Sequence, residues 1–261
     1  MRSALLGTVL APLLLLLAPA SAGASGGRPS VSLTASPARL TLVGTGERTI
    51  RLTNAGTDPV DVEVSRAVFG LDLRGRPKVV PRGPGRGDAS SWLAVRPHTL
   101  ALHSRSSASL TISSAVPRGA RPGDHDTLVL LTTRPIRGAR VAVRMRLGVV
   151  VVVRAPGRVS RRLQLRRLRV RRVRSSRVLE LYVANRGNVT EVLQRGRTKV
   201  TLLSGRRTVA SMHPAPRELL PGTTGIVQAR YAGRARGPLT AVVELSYEPG
   251  RTVRRAFRIR L

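Results

Sequence analysis

The chain has 261 residues, of which 46 are arginine or lysine and 13 are aspartate or glutamate, and its formal net charge is +33. It has no cysteine, which excludes disulfides, thiolate metal sites and a cysteine-linked lipid anchor. Aromatic residues make up only 2% of the chain, so the basic charge lacks the stacking surface of a single-strand nucleic-acid binder. Nucleic acid is therefore not the expected partner, and the length leaves room for two domains of ordinary size.

The first 24 residues have the order of a secretory signal peptide. Arg2 precedes an apolar stretch from Ala4 to Ala20, and the small residues Ser21 and Ala22 follow. An uncleaved membrane anchor is the alternative, because the apolar stretch approaches the length that spans a bilayer. Two prolines within the stretch favour cleavage. We expect an exported mature chain without a transmembrane helix, located in the extracellular space, the cell wall or a periplasm-like compartment.

From residue 30 onward the sequence becomes a series of short alternating segments separated by turn residues. Ile50 and Leu52 alternate with polar residues, as do the three valines between Val60 and Val64, which is typical of half-buried antiparallel strands. The run from Val141 to Val153 starts with arginines between its apolar positions and ends with glycine and valine there. This run predicts a strand that begins half exposed and ends buried on both faces. No stretch of comparable length has a helical period, so the fold class should be all-β.

Landmarks recur in the same order in the two halves of the chain. Leu52 to Gly56 corresponds to Val183 to Gly187, each a predicted strand that runs into an Asn-x-Gly turn. Gly123 to Leu131 corresponds to Gly237 to Leu245. These offsets are close to the ~100 residues of one immunoglobulin-like sandwich, so we predict two such β-sandwich domains in tandem. The predicted divisions are a signal peptide at 1–24, a first domain at 30–155 and a second domain at 158–261.

Three short motifs in the first half suggest a family. They are Ser36-Pro37-Ala38-Arg39-Leu40, Ser91-Trp92-Leu93-Ala94-Val95-Arg96-Pro97, and Val116-Pro117 leading to Pro122-Gly123-Asp124-His125. Together they resemble the extracellular domains of bacterial WxL-interacting proteins over about residues 30–155, and the second half resembles that family only loosely. The resemblance implies an immunoglobulin-like fold with the layout of a pilus chaperone, and peptidoglycan binding by the first domain. The chain departs from the family in lacking its C-terminal transmembrane helix, so membrane anchoring is not carried over.

The densest basic stretch is Arg158 to Arg177, with ten arginines in twenty residues. Aliphatic residues interrupt it at mostly strand-like spacing, which predicts a strand with its arginines toward solvent. Such a stripe could hold phosphates or carboxylates through forked guanidinium contacts. The alternatives are a solvated strand face, or an arginine content set by genome composition. The candidate residues for binding an anionic polymer are Arg162, Arg167, Arg169, Arg171 and Arg172.

No motif points to catalysis, a cofactor or a metal. The sequence has no HExxH, GxSxG, P-loop or dinucleotide pattern, so we expect a protein that is not an enzyme. Asp124-His125-Asp126 is the one histidine between carboxylates, and the Pro122-Gly123 pair before it favours a turn. Trp92, the one tryptophan, is expected to anchor the first core, with a ligand platform as the alternative.

The leading hypothesis is a noncatalytic, exported cell-envelope protein whose first sandwich binds peptidoglycan or another anionic wall polymer. The alternative is a chaperone-like or assembly module that binds surface proteins by β-strand addition at an exposed sheet edge. The expected partner is accordingly a wall polymer or a surface protein. The sequence does not determine the oligomeric state.

Overall fold

The computed structural model describes residues 31–80, 88–134, 144–174, 176–194, 196–248 and 250–261. These residues contain 19 β-strands and no α-helix. Within them, no helix has the length and apolarity needed to cross a membrane. The predicted signal peptide and part of the run that begins at Val141 lie outside the described residues.

Ten strands belong to the first half. They are β1 (Leu33–Ser36), β2 (Arg39–Val43), β3 (Gly46–Asn54), β4 (Val60–Leu71), β5 (Pro77–Val80), β6 (Leu93–Arg96), β7 (Thr99–Leu102), β8 (Ser106–Ser114), β9 (Gly123–Thr133) and β10 (Arg146–Ala155). Nine strands belong to the second half. They are β11 (Leu163–Val173), β12 (Ser176–Asn185), β13 (Glu191–Leu193), β14 (Thr198–Ser204), β15 (Arg207–Met212), β16 (Arg217–Leu219), β17 (Thr224–Tyr231), β18 (Pro238–Glu248) and β19 (Arg251–Arg260).

The first half is a sandwich of two sheets. One has the order β1-β3-β8-β6, and the other has the order β2-β10-β9-β4-β5 with β7 also paired to β4. The pairings between these strands are antiparallel except that of β2 with β10, which is parallel. The alternating apolar residues predicted from the sequence face each other between the sheets. Fully buried members of this core include Ile50, Leu52, Leu110, Ile112, Val129, Leu131 and Val151.

The second half is a second sandwich with its own core. The sheet β11-β12-β17 packs against the sheet β15-β14-β18-β19, and β13 and β16 form a small additional pair. Buried residues from both sheets, among them Leu179, Leu181, Val183, Leu202 and Val243, fill the space between them. The fold class predicted from the sequence, two tandem immunoglobulin-like β-sandwiches, is confirmed. The boundaries at 155 and 158 stay a prediction, although the two cores divide in this region.

The two predicted Asn-x-Gly turns have the same internal bonding. Asn54 accepts a hydrogen bond from the Gly56 N–H and donates to the carbonyls of Asp58 and His103. Asn185 likewise accepts from the Gly187 N–H and donates to two carbonyls. Both asparagines are completely buried, so each amide satisfies main-chain groups that would otherwise be unpaired in the core. The repeat seen in the sequence is therefore a repeat of structure.

Strand β10 is buried in the manner predicted. Val149, Val151 and Val153 face the first core, while Val152, on the opposite face, is only 2% exposed. Next to it, Val150 packs in a small apolar cluster that Leu220 of the second sandwich also joins. The outer face of this strand is covered because the second sandwich lies against it.

Candidate functional site

The two sandwiches meet around the carboxylate of Asp124 at the start of β9. This carboxylate accepts hydrogen bonds from Nε and Nη2 of Arg154, at 2.6 and 3.0 Å, and from the backbone N–H of Thr190 at 2.8 Å. The hydrogen bond to Asp124 raises the pKa of Arg154. Since Asp124 is almost fully buried, the contact is a satisfied, charge-assisted network that joins the two halves.

Main-chain contacts reinforce this joint. The Asp124 N–H donates to the Asn188 carbonyl at 2.7 Å, and the Asn188 amide donates to the carbonyls of Pro122 and Arg158 at 2.9 Å. Gly123 has a φ of 115°, and a Cβ added there would collide with the Asn188 carbonyl. A glycine is therefore required where the two backbones approach each other.

Asp126 is the second buried acid of the joint. It is 4% exposed, and its Oδ1 has no hydrogen-bond partner among the described residues. Nη2 of Arg39 lies 3.9 Å from Oδ1, and Arg39 is also paired with Glu218 of the second sandwich. Burial raises the pKa of Asp126 to about 7, against the attraction of Arg39, while Asp124 and Glu218 raise it further. The joint therefore holds a carboxyl group that changes charge near neutral pH.

The expected turn at Asp124-His125-Asp126 is wrong. These residues form the start of β9, because the Pro122-Gly123 bend comes before the strand and the backbone of Asp124 already pairs with Arg154. The two acids share the face of β9 turned to the second sandwich, and His125 lies on the other face with its ring centroid 4.3 Å from that of Trp92. The described residues contain no group of three or more side chains placed to hold a metal ion.

An open cavity of about 800 Å³ lies between the sandwiches beside this joint. Its lining combines apolar, basic and acidic residues, among them Phe69, Lys78, Asp88, Trp92, Arg186 and Leu220. Trp92, expected to anchor the first core, is only half-buried at the margin of that core. One part of the Trp92 side chain packs on the core, and another part lines the cavity.

A second candidate site is the free edge of β10. Strand β9 pairs with β10 along its whole length, whereas β2 joins the other side only from Val150 onward. The Val150 N–H donates to Ala38 on that other side, and the Met145 carbonyl accepts from Thr133 next to β9. Main-chain groups alternate in direction along a strand, so those of Arg146 and Gly148 point away from β9. No strand among the described residues pairs with them there.

The side chains at this edge alternate between apolar and charged. Met145 and Leu147 are half-buried and pack against the first core, while Arg144 and Arg146 are exposed. The described residues therefore cover the core incompletely at the place where they leave the main chain of β10 without a pairing strand. Exposed edges with these properties are the sites at which proteins add a further strand.

The five candidate arginines are not all brought together. In β11 a register shift between Leu165 and Arg167 changes which residues face inward, so Leu163 and Leu165 before it and Leu168 after it point to the core. Arg167, Arg169 and Arg171 consequently share the outer face, as alternate residues of one strand. The other two lie apart from this row. Arg162 precedes β11 and Arg172 has the opposite orientation in it.

No protein-family model matches the sequence, and a search of curated proteins finds no match. The resemblance to WxL-interacting proteins therefore stays a prediction. Solved structures that are similar in outline include a chaperone–tip adhesin complex of CFA/I fimbriae biogenesis, at 10% identity and a TM-score of 0.49, covering 88% of this chain and 98% of that one.

Two further structures have a comparable likeness. The E. coli chaperone DraB is 14% identical with a TM-score of 0.45, and the alignment covers 88% of this chain and 99% of DraB. The CsuC–CsuE chaperone–adhesin complex of Acinetobacter baumannii is 13% identical with a TM-score of 0.45, covering 87% and 98%. Structural similarity at this level identifies no ligand or partner of this chain. The geometry of the chain itself is therefore the basis for a functional proposal.

Proposed function

We propose that the protein is a noncatalytic binding module that accepts an extended segment of another protein as an added strand beside β10. The observation that carries the proposal is the main-chain edge at Arg146 and Gly148, with which no strand in the described part of the chain pairs. Strand addition draws its affinity from main-chain hydrogen bonds and its specificity from pockets for alternate side chains. This edge offers main-chain groups for the hydrogen bonds, and the half-buried Met145 and Leu147 offer apolar surface to the side chains of the added strand.

The geometry also constrains the partner segment. An added strand would continue the line of β2 past Arg39, where the pairing of β2 with β10 ends. Every second side chain of that segment would lie over Met145 and Leu147, which are half-buried in the first core. Apolar residues at those positions would complete the burial, and polar residues between them would face solvent. The expected partner is therefore a segment in which apolar and polar residues alternate.

Peptidoglycan binding by the first sandwich was the leading hypothesis from the sequence. That hypothesis came from the family resemblance and the net charge, and the basic stretch that suggested an anion site, β11, belongs to the second sandwich. It therefore supplies no anion site to the first sandwich, and we favour strand addition as the function of the first half.

Arg146→Pro is expected to weaken peptide binding about tenfold or more. Proline removes the N–H that an added strand would use, and its ring occupies the same side of β10. The Arg146 N–H does not take part in the ladder with β9, and proline is tolerated at the first residue of a strand. The fold should therefore persist. The probe is an array of short synthetic peptides with alternating apolar and polar residues, and binding is measured by fluorescence polarisation.

The matched control is Arg146→Gln, which removes the same charge but keeps the N–H and should bind within about twofold of the wild type. Hydrogen exchange provides a second measurement, because the Gly148 amide should become protected when a peptide binds. If no alternating peptide bound the wild-type protein, or if Arg146→Pro bound the peptides as well as Arg146→Gln did, strand addition at β10 would be excluded.

A further inference from the structure

The outer face of the sheet β11-β12-β17 carries a row of arginines along its β11 edge. Arg167, Arg169 and Arg171 occupy successive outward positions. Across the sheet they lie opposite Tyr182, Glu180 and Val178 of β12, which in turn lie opposite Ile226, Gln228 and Arg230 of β17. Outward positions on one strand are spaced by roughly 6.6 Å, so the three side chains leave β11 at regular intervals along one line.

Two of these arginines are held by an aromatic ring. The guanidinium carbon of Arg167 lies 4.0 Å from the centroid of the Tyr182 ring, and that of Arg169 lies 5.8 Å from it. Such cation–π contacts restrict long side chains that would otherwise lose conformational freedom on binding a ligand. The row is therefore partly ordered before any partner arrives.

Little negative charge is available to neutralise the row. Residues 158–261 contain 25 arginines and lysines but only five glutamates and no aspartate. On this face the carboxylate is that of Glu180, which is buried and accepts hydrogen bonds from Arg171 and Gln228, each at 2.9 Å. Among the described residues no carboxylate pairs with Arg167 or Arg169. Their charges remain available to an external anion.

We propose that this face binds a linear polyanion with repeated phosphate groups, laid along β11. A guanidinium group matches phosphate through two parallel N–H···O contacts, and a line of them matches a chain better than a single small anion. A membrane surface fits the face less well. Of the described residues, the large apolar side chains that are exposed lie outside β11, β12 and β17, so the row lacks the apolar contacts with which peripheral proteins enter a bilayer.

The test uses long-chain inorganic polyphosphate as the probe, titrated into the full-length mature protein. The variant Arg167→Gln/Arg169→Gln should bind it roughly tenfold or more weakly, because two charge-assisted contacts are removed. The matched control is Arg258→Gln/Arg260→Gln, which removes the same charge from exposed positions on β19 in the opposite sheet. The control should lose less than about threefold, since only the general electrostatic attraction changes.

A charge-conserving variant separates arginine geometry from net charge. Arg167→Lys/Arg169→Lys keeps both charges but loses the forked contacts and the stacking on Tyr182, so it should fall between the wild type and the glutamine variant. Arg146→Pro should bind polyphosphate normally, because β10 lies in the other sandwich. Equal losses in the row variant and the β19 control would overturn the proposal. So would an absence of polyphosphate binding at low salt, or binding to phosphatidylglycerol vesicles alone.

Discussion

Replacing Asp124 with alanine should lower the free energy of unfolding by about 3–5 kcal/mol, the cost of removing one partner from a buried ion pair. The change leaves the Arg154 guanidinium and the Thr190 N–H without their acceptor at the joint. Arg154 is then a partly buried charge that has lost its carboxylate partner, and the side-chain link from Asp124 to Thr190 is lost. Chemical denaturation followed through the fluorescence of Trp92, which lines the cavity beside the joint, measures the effect.

The matched control is Glu63→Ala. Glu63 forms a similar pair with Arg134, at 2.7 Å, but both side chains are more than half exposed. Exposed pairs contribute up to about 1 kcal/mol, so the control should be nearly neutral. Equal losses for Asp124→Ala and Glu63→Ala would contradict the role assigned to the buried joint.

The stability of the protein should fall as the pH rises from about 4 to about 7. The pKa of Asp126 is raised from its ordinary value of 3.8 to about 7, chiefly by burial. Between these values the folded protein keeps a proton that the unfolded chain has released, so raising the pH favours unfolding. The expected loss across the window is on the order of 2–4 kcal/mol, and it levels off above pH 7.

Asp126→Asn should remove this dependence and be more stable than the wild type at pH 8, because the buried group can no longer ionise. The control is Asp72→Asn. Asp72 is partly exposed, and its pKa is lowered, first by the backbone N–H of Arg76, so its effect lies at lower pH and has the opposite sign. The test is to measure the denaturation midpoints of the wild type, Asp126→Asn and Asp72→Asn at pH 4, 6 and 8. If the stability of Asp126→Asn depended on pH in the same way as that of the wild type, Asp126 would not be the group responsible.

The strands could be predicted because alternation is a local property of the sequence. Ile50 and Leu52, or Val149 and Val151, point to one side whatever their partners are, and their apolar character indicates the buried side. The buried asparagines were visible as Asn-x-Gly repeats for the same reason. Local pattern was sufficient for the fold class.

The joint could not be predicted in this way. Asp124 meets Thr190, 66 residues further along the chain, and no local pattern encodes such a contact. The Pro122-Gly123 pair suggested a turn that continued through Asp124. In the structure, Gly123 instead allows two backbones to approach each other closely, and β9 begins at this residue. The unusual signal was the presence of two acids at alternate positions in so basic a chain.

The arginine row was predicted in part. The alternation of arginine with aliphatic residues in β11 indicated an exposed face, but the shift in register between Leu165 and Arg167 decides which arginines share it. A shift of this kind depends on the pairing with β12. The free edge of β10 could not be predicted from the sequence either, because it depends on where β2 ends.

The parallel pairing of β2 with β10 has a consequence for how the protein is made. Arg39 lies beside Val150, and Val43 beside Arg154. Strand β2, near the beginning of the first sandwich, therefore pairs with its last strand, β10. Contacts so distant along the chain form slowly. A nascent polypeptide that has emerged only as far as β9 lacks the strand with which β2 pairs, so we expect its first core to stay accessible to proteases and chaperones until β10 follows.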